Sequence, residues 1–372
     1  MSESVMKSES AFGKAKAWVT DSLTQENSFK AYFEPLIQMA LPGWNSESVR
    51  TRVLRMRKET DDVFSLVLKP GKAWKGFKAG QHLQITAEKN GSLQTRIFSV
   101  STSPEHFRRS GEIEMSIRVQ EGGRITPWLR QEFASGGICT LSQAMGEFVL
   151  PQGNQPLLMI AGGSGITPFR SMLNQLAAEN SQRDVTLLFY VRDEANALFR
   201  DEFSKIAAAH SNLNILYVDG SKEGFFSADH LNKYCPDFTT RKVMICGPTP
   251  MIQLARKTVA ELGVSDDNIM FEYFGAAPID MERAGSEAFV SFEKSGASAV
   301  TDPDSPMNLL DLAESQGLKP LSGCRAGVCY QCVCTKKSGV VYNTLTGKYS
   351  DTGQEDIQLC VTVAVNDVVL DV

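Results

Sequence analysis

Ten residues constrain this chain more than any others: Gly323-Cys324-Arg325-Ala326-Gly327-Val328-Cys329-Tyr330-Gln331-Cys332. Three cysteines stand in a C-x4-C-x2-C pattern, and a fourth, Cys360, follows after twenty-seven intervening residues. Four thiolates at this spacing suit a [2Fe-2S] core. Gly323, Ala326 and Gly327 keep side chains away, so that backbone N–H groups can point at the sulfurs and tune the potential. The alternative is a four-cysteine zinc ribbon, which prefers two separated C-x2-C knuckles. The expected metal ligands are therefore Cys324, Cys329, Cys332 and Cys360. Cys334, two residues further on, reads as a buried strand cysteine, because four thiolates already complete the set.

A chain of 372 residues with 42% hydrophobic content has room for two or three domains. Its net charge of −5 argues against nucleic acid as a partner and agrees with docking onto a basic redox protein. The remaining cysteines, Cys139, Cys235 and Cys246, show no pairing pattern, which reads as a reducing compartment. The first residues lack a basic region followed by an apolar one, and no window reaches the length of a membrane span. These features predict a cytoplasmic protein that meets a membrane surface only through a partner.

The pattern changes three times along the chain. Residues 1–45 read as a short helical N-terminal extension, crowded with aromatic and aliphatic residues from Phe29 to Trp44. Over 46–152 short alternating strands are expected at Val49–Arg57, Val63–Leu68, His82–Ala87, Gln94–Val100 and Ile113–Val119, with turns at Lys69-Pro70-Gly71, Lys89-Asn90-Gly91 and Gly111. A helix at Thr126–Phe133 and a last strand near Glu147–Leu150 complete an antiparallel β-barrel. Over 153–275 apolar runs at Leu157–Ile160, Val185–Val191, Leu213–Val218, Val243–Cys246 and Ile269–Phe274 alternate with helical segments such as Met251–Leu262. This predicts an α/β doubly wound parallel sheet. A linker at 276–285 leads into 286–372, where Ala288–Phe292 and Ala297–Thr301 read as a hairpin, Met307–Ser315 as a helix and Val361–Val369 as closing strands.

Several stretches carry residue types that chemistry needs. Arg96-Ile97-Phe98-Ser99 lies on a strand, which puts Arg96 and Phe98 on one face. A cation suits a pyrophosphate, an aromatic ring suits an isoalloxazine, and a hydroxyl suits the flavin nitrogen that receives hydride; Phe98 would equally serve as core. Gly122-Gly123-Arg124-Ile125-Thr126-Pro127 runs into a helix whose N-terminus favours phosphate, with Thr126 as a plain N-cap the other reading. Gly162-Gly163-Ser164-Gly165-Ile166-Thr167-Pro168 follows a strand and opens a helix, where glycines let a dinucleotide approach the backbone. The alternative is a glycine-rich turn capped by Thr167. Cys246-Gly247-Pro248 repeats the strand-turn-helix geometry.

The loop from Cys324 to Cys332 resembles that of the plant-type ferredoxins, which implies an α+β β-grasp domain. In the same order as above, Arg96-x-Phe98-Ser99, Gly123-x-x-Thr126, Gly163-Ser164-Gly165-Ile166-Thr167-Pro168 and Cys246-Gly247-Pro248 resemble the flavin and nicotinamide motifs of the ferredoxin-NADP reductase superfamily over 46–275. The resemblance implies FAD and a nicotinamide nucleotide as cofactors beside the [2Fe-2S] cluster. It implies catalytic roles for Ser99, Cys246, Glu272 and Phe274, the last two from the superfamily's final Glu-x-aromatic. It implies cofactor binding by Arg96, Phe98, Ser99, Gly123, Thr126, Gly163, Ser164, Gly165, Thr167, Arg192, Gly247 and Pro248. Arg192 and Lys222 favour the 2′-phosphate of NADPH, whereas Asp219 favours the free ribose of NADH. Such a chain passes hydride electrons singly from NAD(P)H through FAD to the cluster. The arrangement resembles the reductase components of oxygenases. Ala73-Trp74-Lys75-Gly76-Phe77-Lys78-Ala79-Gly80-Gln81 resembles a stretch in the partners of membrane acyl-CoA desaturases, which implies a di-iron desaturase as acceptor. A soluble hydroxylase or dioxygenase is the alternative partner, and a redox-sensing interaction module the alternative class.

Overall fold

The computed structural model describes residues 48–89, 92–120, 123, 125–194, 197–274, 287–327 and 330–372. The N-terminal helices expected at 1–45, the turn residues Asn90 and Gly91, the loop residues Gly122 and Arg124, the 276–285 linker and the expected ligand Cys329 lie outside the described residues.

Alternating apolar residues build the first sheet from β1 (Ser48–Lys58), β2 (Val63–Pro70), β3 (His82–Lys89), β4 (Ser92–Ser99), β5 (Ile113–Arg118) and β6 (Gly137–Ser142), in the order β4-β3-β6-β1-β2-β5. Every pairing in it is antiparallel. The two edges nearly close into a barrel, for Ser101 N, just past β4, donates to Glu114 O of β5 at 2.8 Å. Phe64, Leu66, Leu83, Ile85, Met115 and Leu141 fill the interior. The expected strand at Glu147–Leu150 is absent: Phe148 turns edge-on to Phe169 and joins the core of the next sheet, and Leu150 N bonds Ala79 O. The sixth strand is instead Gly137–Ser142, where Cys139 and Leu141 are buried between exposed Ile138 and half-buried Thr140. An unanticipated helix, Pro104–Ser110, starts at Ser103, whose hydroxyl accepts from His106 N, and stops at Gly111 with φ 69°. The helix Thr126–Glu132 starts one residue after its cap, Ile125, so Thr126 is not the N-cap; its hydroxyl accepts from Gln120 N and closes the preceding loop.

The second sheet is parallel throughout: β7 (Leu157–Gly162), β8 (Val185–Val191), β9 (Leu213–Asp219), β10 (Lys242–Gly247) and β11 (Ile269–Tyr273), in the order β11-β10-β7-β8-β9. Helices on both faces leave β7 fully buried, as its unbroken apolar sequence requires. The strand order reverses between β7 and β10, and ligands of such sheets sit outside the carboxyl ends of the strands at that point. The helices Ile166–Ala178 and Thr249–Glu261 start there.

The last unit has a five-stranded sheet of β12 (Phe289–Phe292), β13 (Ala297–Val300), β14 (Val333–Ser338), β17 (Glu355–Gln358) and β19 (Val368–Leu370), ordered β13-β12-β19-β14-β17. A small second sheet holds β15 (Val341–Asn343), β16 (Lys348–Tyr349) and β18 (Thr362–Ala364). The closing strands expected over Val361–Val369 are split: a 3-10 turn at Leu359–Val361 breaks the chain, and β18 and β19 join different sheets. The helix covering this core begins at Leu309, two residues later than expected, because Asn308 caps it through Asp311 N. Lys336 is fully buried, its ammonium donating to the carbonyls of Gly339, Asp351 and Gly353.

Barrel and parallel sheet are clasped by Arg170. Its guanidinium bonds Glu114 of β5 on one side and Glu202 of the Arg200–Ala209 helix at 2.8 Å on the other, over the face of Phe199. Ser171 Oγ donates to Thr102 O at 2.5 Å across the same boundary. Among the described residues no helix is long and apolar enough to cross a membrane.

Candidate functional site

The reversal point of the parallel sheet is built from two interlocked turns. An added Cβ on Gly165 would strike the Cys246 carbonyl and lie 2.6 Å from Gly247 Cα; one on Gly247 would lie 3.0 Å from Gly162 N. Only glycine permits this approach, so Gly163-Ser164-Gly165 can present bare backbone at the helix start. Gly163 takes φ 53°, and its missing side chain leaves room for Arg118 of β5, whose guanidinium would lie 3.2 Å from a Cβ there. Thr167 Oγ1 donates to Ser164 O at 3.0 Å, so this threonine braces the turn. Pro248 caps the Thr249–Glu261 helix and packs against Gly162.

Facing this point, β3 and β4 bring His82 opposite Ser99, and β10 and β11 bring Cys246 beside Glu272. His82 Nδ1 and Glu272 Oε1 are 3.0 Å apart, which joins the two pairs into one cluster across the boundary of barrel and sheet. Ser99 Oγ, His82 Nε2 and Glu272 Oε2 are buried without a hydrogen-bond partner among the described residues. Buried polar atoms are rarely left so, because each costs about 1–3 kcal/mol. Three in one cluster mark where a ligand's polar atoms complete the site, and this donor set fits a flavin met by a nicotinamide. Burial, with the Glu272 charge nearby, pushes the Cys246 thiol far above its usual range, so it remains a neutral wall of the site. Phe274 follows β11 half-exposed.

On β4, Arg96 and Phe98 share a face, and Phe98 is half-buried against the barrel interior, so the core reading of this ring holds in part. Arg96 Nη1 donates to Thr95 O at 2.7 Å and to Gly323 O at 3.1 Å, which seats one end of the cluster loop on the barrel. Gly123 makes the tight turn before the Thr126–Glu132 helix, its N–H bonding Gln120 O at 2.9 Å.

At the far end of the sheet, Asp219 is held by the hydroxyl and N–H of Ser221 at 2.6 and 2.9 Å, with Lys222 Nζ at 3.1 Å. These bonds pull its carboxyl down to about 2. Asp219 is thereby engaged as the cap of the Gly220–Glu223 helix, and Lys222 is engaged with it. Arg192 makes no ion pair with a described residue, and Glu194 pairs with Arg200.

In the last unit, Cys332 Sγ and Cys360 Sγ lie 3.2 Å apart, and Cys324 Sγ accepts from Ala326 N at 3.3 Å. The hydrogen bond from Cys360 pulls Cys332 down to about 7, while Cys360 moves up. Gly327 takes φ 74° with its N–H toward Cys360, and a side chain there would meet Leu345 and Val361 at 2.9 Å. Among the described residues no three metal-ligating side chains converge. The close Cys332 and Cys360 thiols, with N–H groups turned to the Cys324 and Cys360 sulfurs, fit a thiolate-held cluster; the fourth cysteine of the sequence pattern, Cys329, lies outside the described residues. Cys334 is buried on β14, and burial raises its thiol, as expected of a core cysteine.

Sequence reasoning missed His82, Arg118 and Arg170. The first had a signal, since the Gly80-Gln81 turn delivers it to the start of β3 opposite Ser99. The other two act through contacts that no local pattern announces.

A near-closed antiparallel barrel, a parallel nucleotide sheet and a cysteine-rich third unit define a modular electron-transfer flavoprotein. Family models match each in turn: an oxidoreductase FAD-binding domain over residues 52–150, an oxidoreductase NAD-binding domain over 159–257 and a 2Fe-2S iron-sulfur cluster binding domain over 292–365. The chain is 30% identical to the NADPH oxidoreductase of Mycobacterium tuberculosis (strain ATCC 25618 / H37Rv) over 338 residues, 90% of this chain and 87% of that protein. It is 30% identical over 268 residues to the ferredoxin reductase component of 3-ketosteroid-9-alpha-monooxygenase from M. tuberculosis (strain CDC 1551 / Oshkosh), 70% of this chain and 74% of that one. The solved structure of phthalate dioxygenase reductase shares the fold, with a TM-score of 0.57 and 23% identity over 87% of this chain and 98% of that one. The chain belongs to the ferredoxin-NADP reductase-type oxidoreductases that carry a [2Fe-2S] ferredoxin domain. It is an NAD(P)H-dependent oxidoreductase with FAD and a [2Fe-2S] cluster as cofactors.

Proposed function

We propose that this protein takes hydride from NADPH and delivers single electrons to an oxygen-activating enzyme, with a membrane di-iron acyl desaturase as the acceptor. The observation that carries the electron path is the Arg96 bond to Gly323 O, which sets the cluster loop against the strand that bears the flavin-facing residues. Bound flavin supplies the exchange between two-electron and one-electron chemistry. Arg96 and the Gly123 turn would hold its phosphates, Phe98 and Phe274 would line its ring, and the Ser99 hydroxyl, buried without a partner among the described residues, would be the donor to its reacting edge. The Gly163–Gly165 and Gly247-Pro248 turns would hold the dinucleotide against bare backbone, and the Glu272 carboxylate, oriented by His82, would accept a hydrogen bond from it. Cys324, Cys329, Cys332 and Cys360 hold the cluster.

Arg192 supports NADPH over NADH: it is a cation without an ion-pair partner among the described residues at the end of β8, whereas Asp219 is already engaged and ill placed to take a ribose hydroxyl. The oxygenase reading is supported by the relative that serves a ketosteroid monooxygenase. The desaturase reading is supported by the Ala73–Gln81 resemblance. In the fold that stretch braces the barrel, with Trp74 buried against Phe107 and its Nε1 donating to Ser142 O at 3.1 Å. The decisive experiment adds the purified protein and NADPH to membranes of the source organism with a long-chain acyl-CoA. Unsaturated product that requires both additions supports the desaturase. Its absence, with brisk cytochrome c reduction by the same preparation, directs the search to soluble hydroxylases and dioxygenases. Negligible turnover with every acceptor favours a redox-sensing module.

A further inference from the structure

We propose that a groove on the last unit, walled by Tyr330 and Tyr349, is the dock for the protein acceptor, and that it receives a basic segment of that protein. The proposal rests on the reading of this chain as a donor to an external protein. The groove has a volume of about 460 Å³, and Val333, Asp356 and Gln358 are among its lining. Its floor is the pairing of β14 with β17, where Val333 lies opposite Gln358. Those strands lead directly to two cluster ligands, for Val333 follows Cys332, and Leu359 N, just ahead of Cys360, donates to Cys332 O at 3.1 Å. Gln358 Nε2 also donates to Gly327 O in the loop itself, at 2.7 Å. The other end of that loop is taken, since Gly323 O is bonded by Arg96 of the barrel. Electrons therefore have one end of the loop at which to enter and an open groove beside the other at which to leave.

The lining fits a cationic protein surface. Tyr330 is 68% exposed and Tyr349 53%, with Val333 and Leu345 also open to solvent, an apolar cluster of the kind that marks an interface. Tyr330 holds a left-handed backbone at φ 55°, a conformation costly for a bulky residue, while its ring stays in solvent. Charge points the same way. Residues 287–372 carry eleven carboxylates against six cations, a balance that accounts for the whole net charge of −5. Glu355 and Asp356 border the groove, and aromatic rings beside carboxylates favour lysine and arginine side chains. Lys348 is the one cation among the described lining residues. Each docking passes one electron from reduced cluster to oxidised acceptor, with no bond made or broken.

The test uses the full-length protein loaded with FAD and cluster, and ferricytochrome c, a basic haem protein, as probe. Asp356→Lys and Tyr349→Ser are compared with Asp304→Lys, which adds the same charge to the same unit outside the groove. Bleaching of the cluster's visible absorption by NADPH without acceptor reads the internal path, and is expected unchanged in all three. For Asp356→Lys the KM for cytochrome c is expected to rise about tenfold at low salt, the difference closing as salt is added. For Tyr349→Ser the rate falls at every salt concentration. Cytochrome c kinetics that stay at wild-type values in both groove variants, or fall equally in Asp304→Lys, overturn the proposal. Failure of NADPH to bleach the wild-type cluster overturns instead the reading on which it rests.

Discussion

Ser99, His82 and Glu272 each keep one buried polar atom unanswered among the described residues, and each is anchored through the rest of the side chain or backbone. That arrangement suits atoms held ready for a bound partner. If Ser99 acts as proposed, replacing it by Ala removes a donor to the reacting nitrogen, and rapid-mixing measurement of flavin bleaching by NADPH should show a rate lower by about 10²-fold, with KM little changed. Arg192→Ala should raise the KM for NADPH about tenfold to a hundredfold, the worth of one charge-assisted hydrogen bond of about 1.5–3 kcal/mol, and leave that for NADH nearly unmoved; parallel shifts for both nucleotides would count against a phosphate contact. Ser99, Cys246 and Glu272 stood out in the sequence because each sits in a short local motif, and folding brings them together around His82. His82 did not stand out, since its partner lies 190 residues away and only folding reveals the pair.

At the scale of elements, the turn Gly163–Gly165 is fixed by backbone packing against β10. Gly165→Ala drives a methyl into the Cys246 carbonyl, so one strand or the other must move. Overpacking of this kind costs about 1–3 kcal/mol, and urea unfolding should show that loss together with a weaker NADPH affinity. Strand positions were legible wherever apolar residues alternated or ran unbroken. The failure at Glu147–Leu150 has a physical reason, since a short apolar run fits a strand equally well as a segment that delivers one ring, Phe148, to a neighbouring core. Gly137–Ser142 escaped notice because its alternation is carried by a cysteine and a leucine between glycine and threonine.

At the scale of the molecule, Arg170 holds barrel and parallel sheet in the register that brings His82 of the barrel against Glu272 of the sheet. Arg170→Met leaves Glu114 buried without this partner, and removing one member of a buried ion pair costs about 3–5 kcal/mol. Hydrogen bonds from this guanidinium outweigh burial and lower the Glu202 carboxyl below its usual value. A lowered carboxylate contributes stability that is full above its unfolded pKa of about 4.3 and is lost as pH falls through the folded value. The gap in unfolding free energy between wild type and Arg170→Met should therefore be widest near neutrality and shrink below about pH 4. A constant gap down to pH 3 would show that the clasp works by packing on Phe199 alone. The number and kinds of units were legible from changes in periodicity; their mutual seating through Arg170 and Arg96 was not, because it depends on contacts between distant segments.

Glu272 lies on β11, the outermost strand of its sheet, paired on one side only and tied to the barrel by His82. Outermost strands open before central ones, and amide exchange should run faster in β11 than in β7. With Glu272 in its proposed role, a slowly warmed protein should stop accepting hydride while its iron–sulfur colour is still intact, so that colour would be a poor gauge of how much working enzyme a preparation contains.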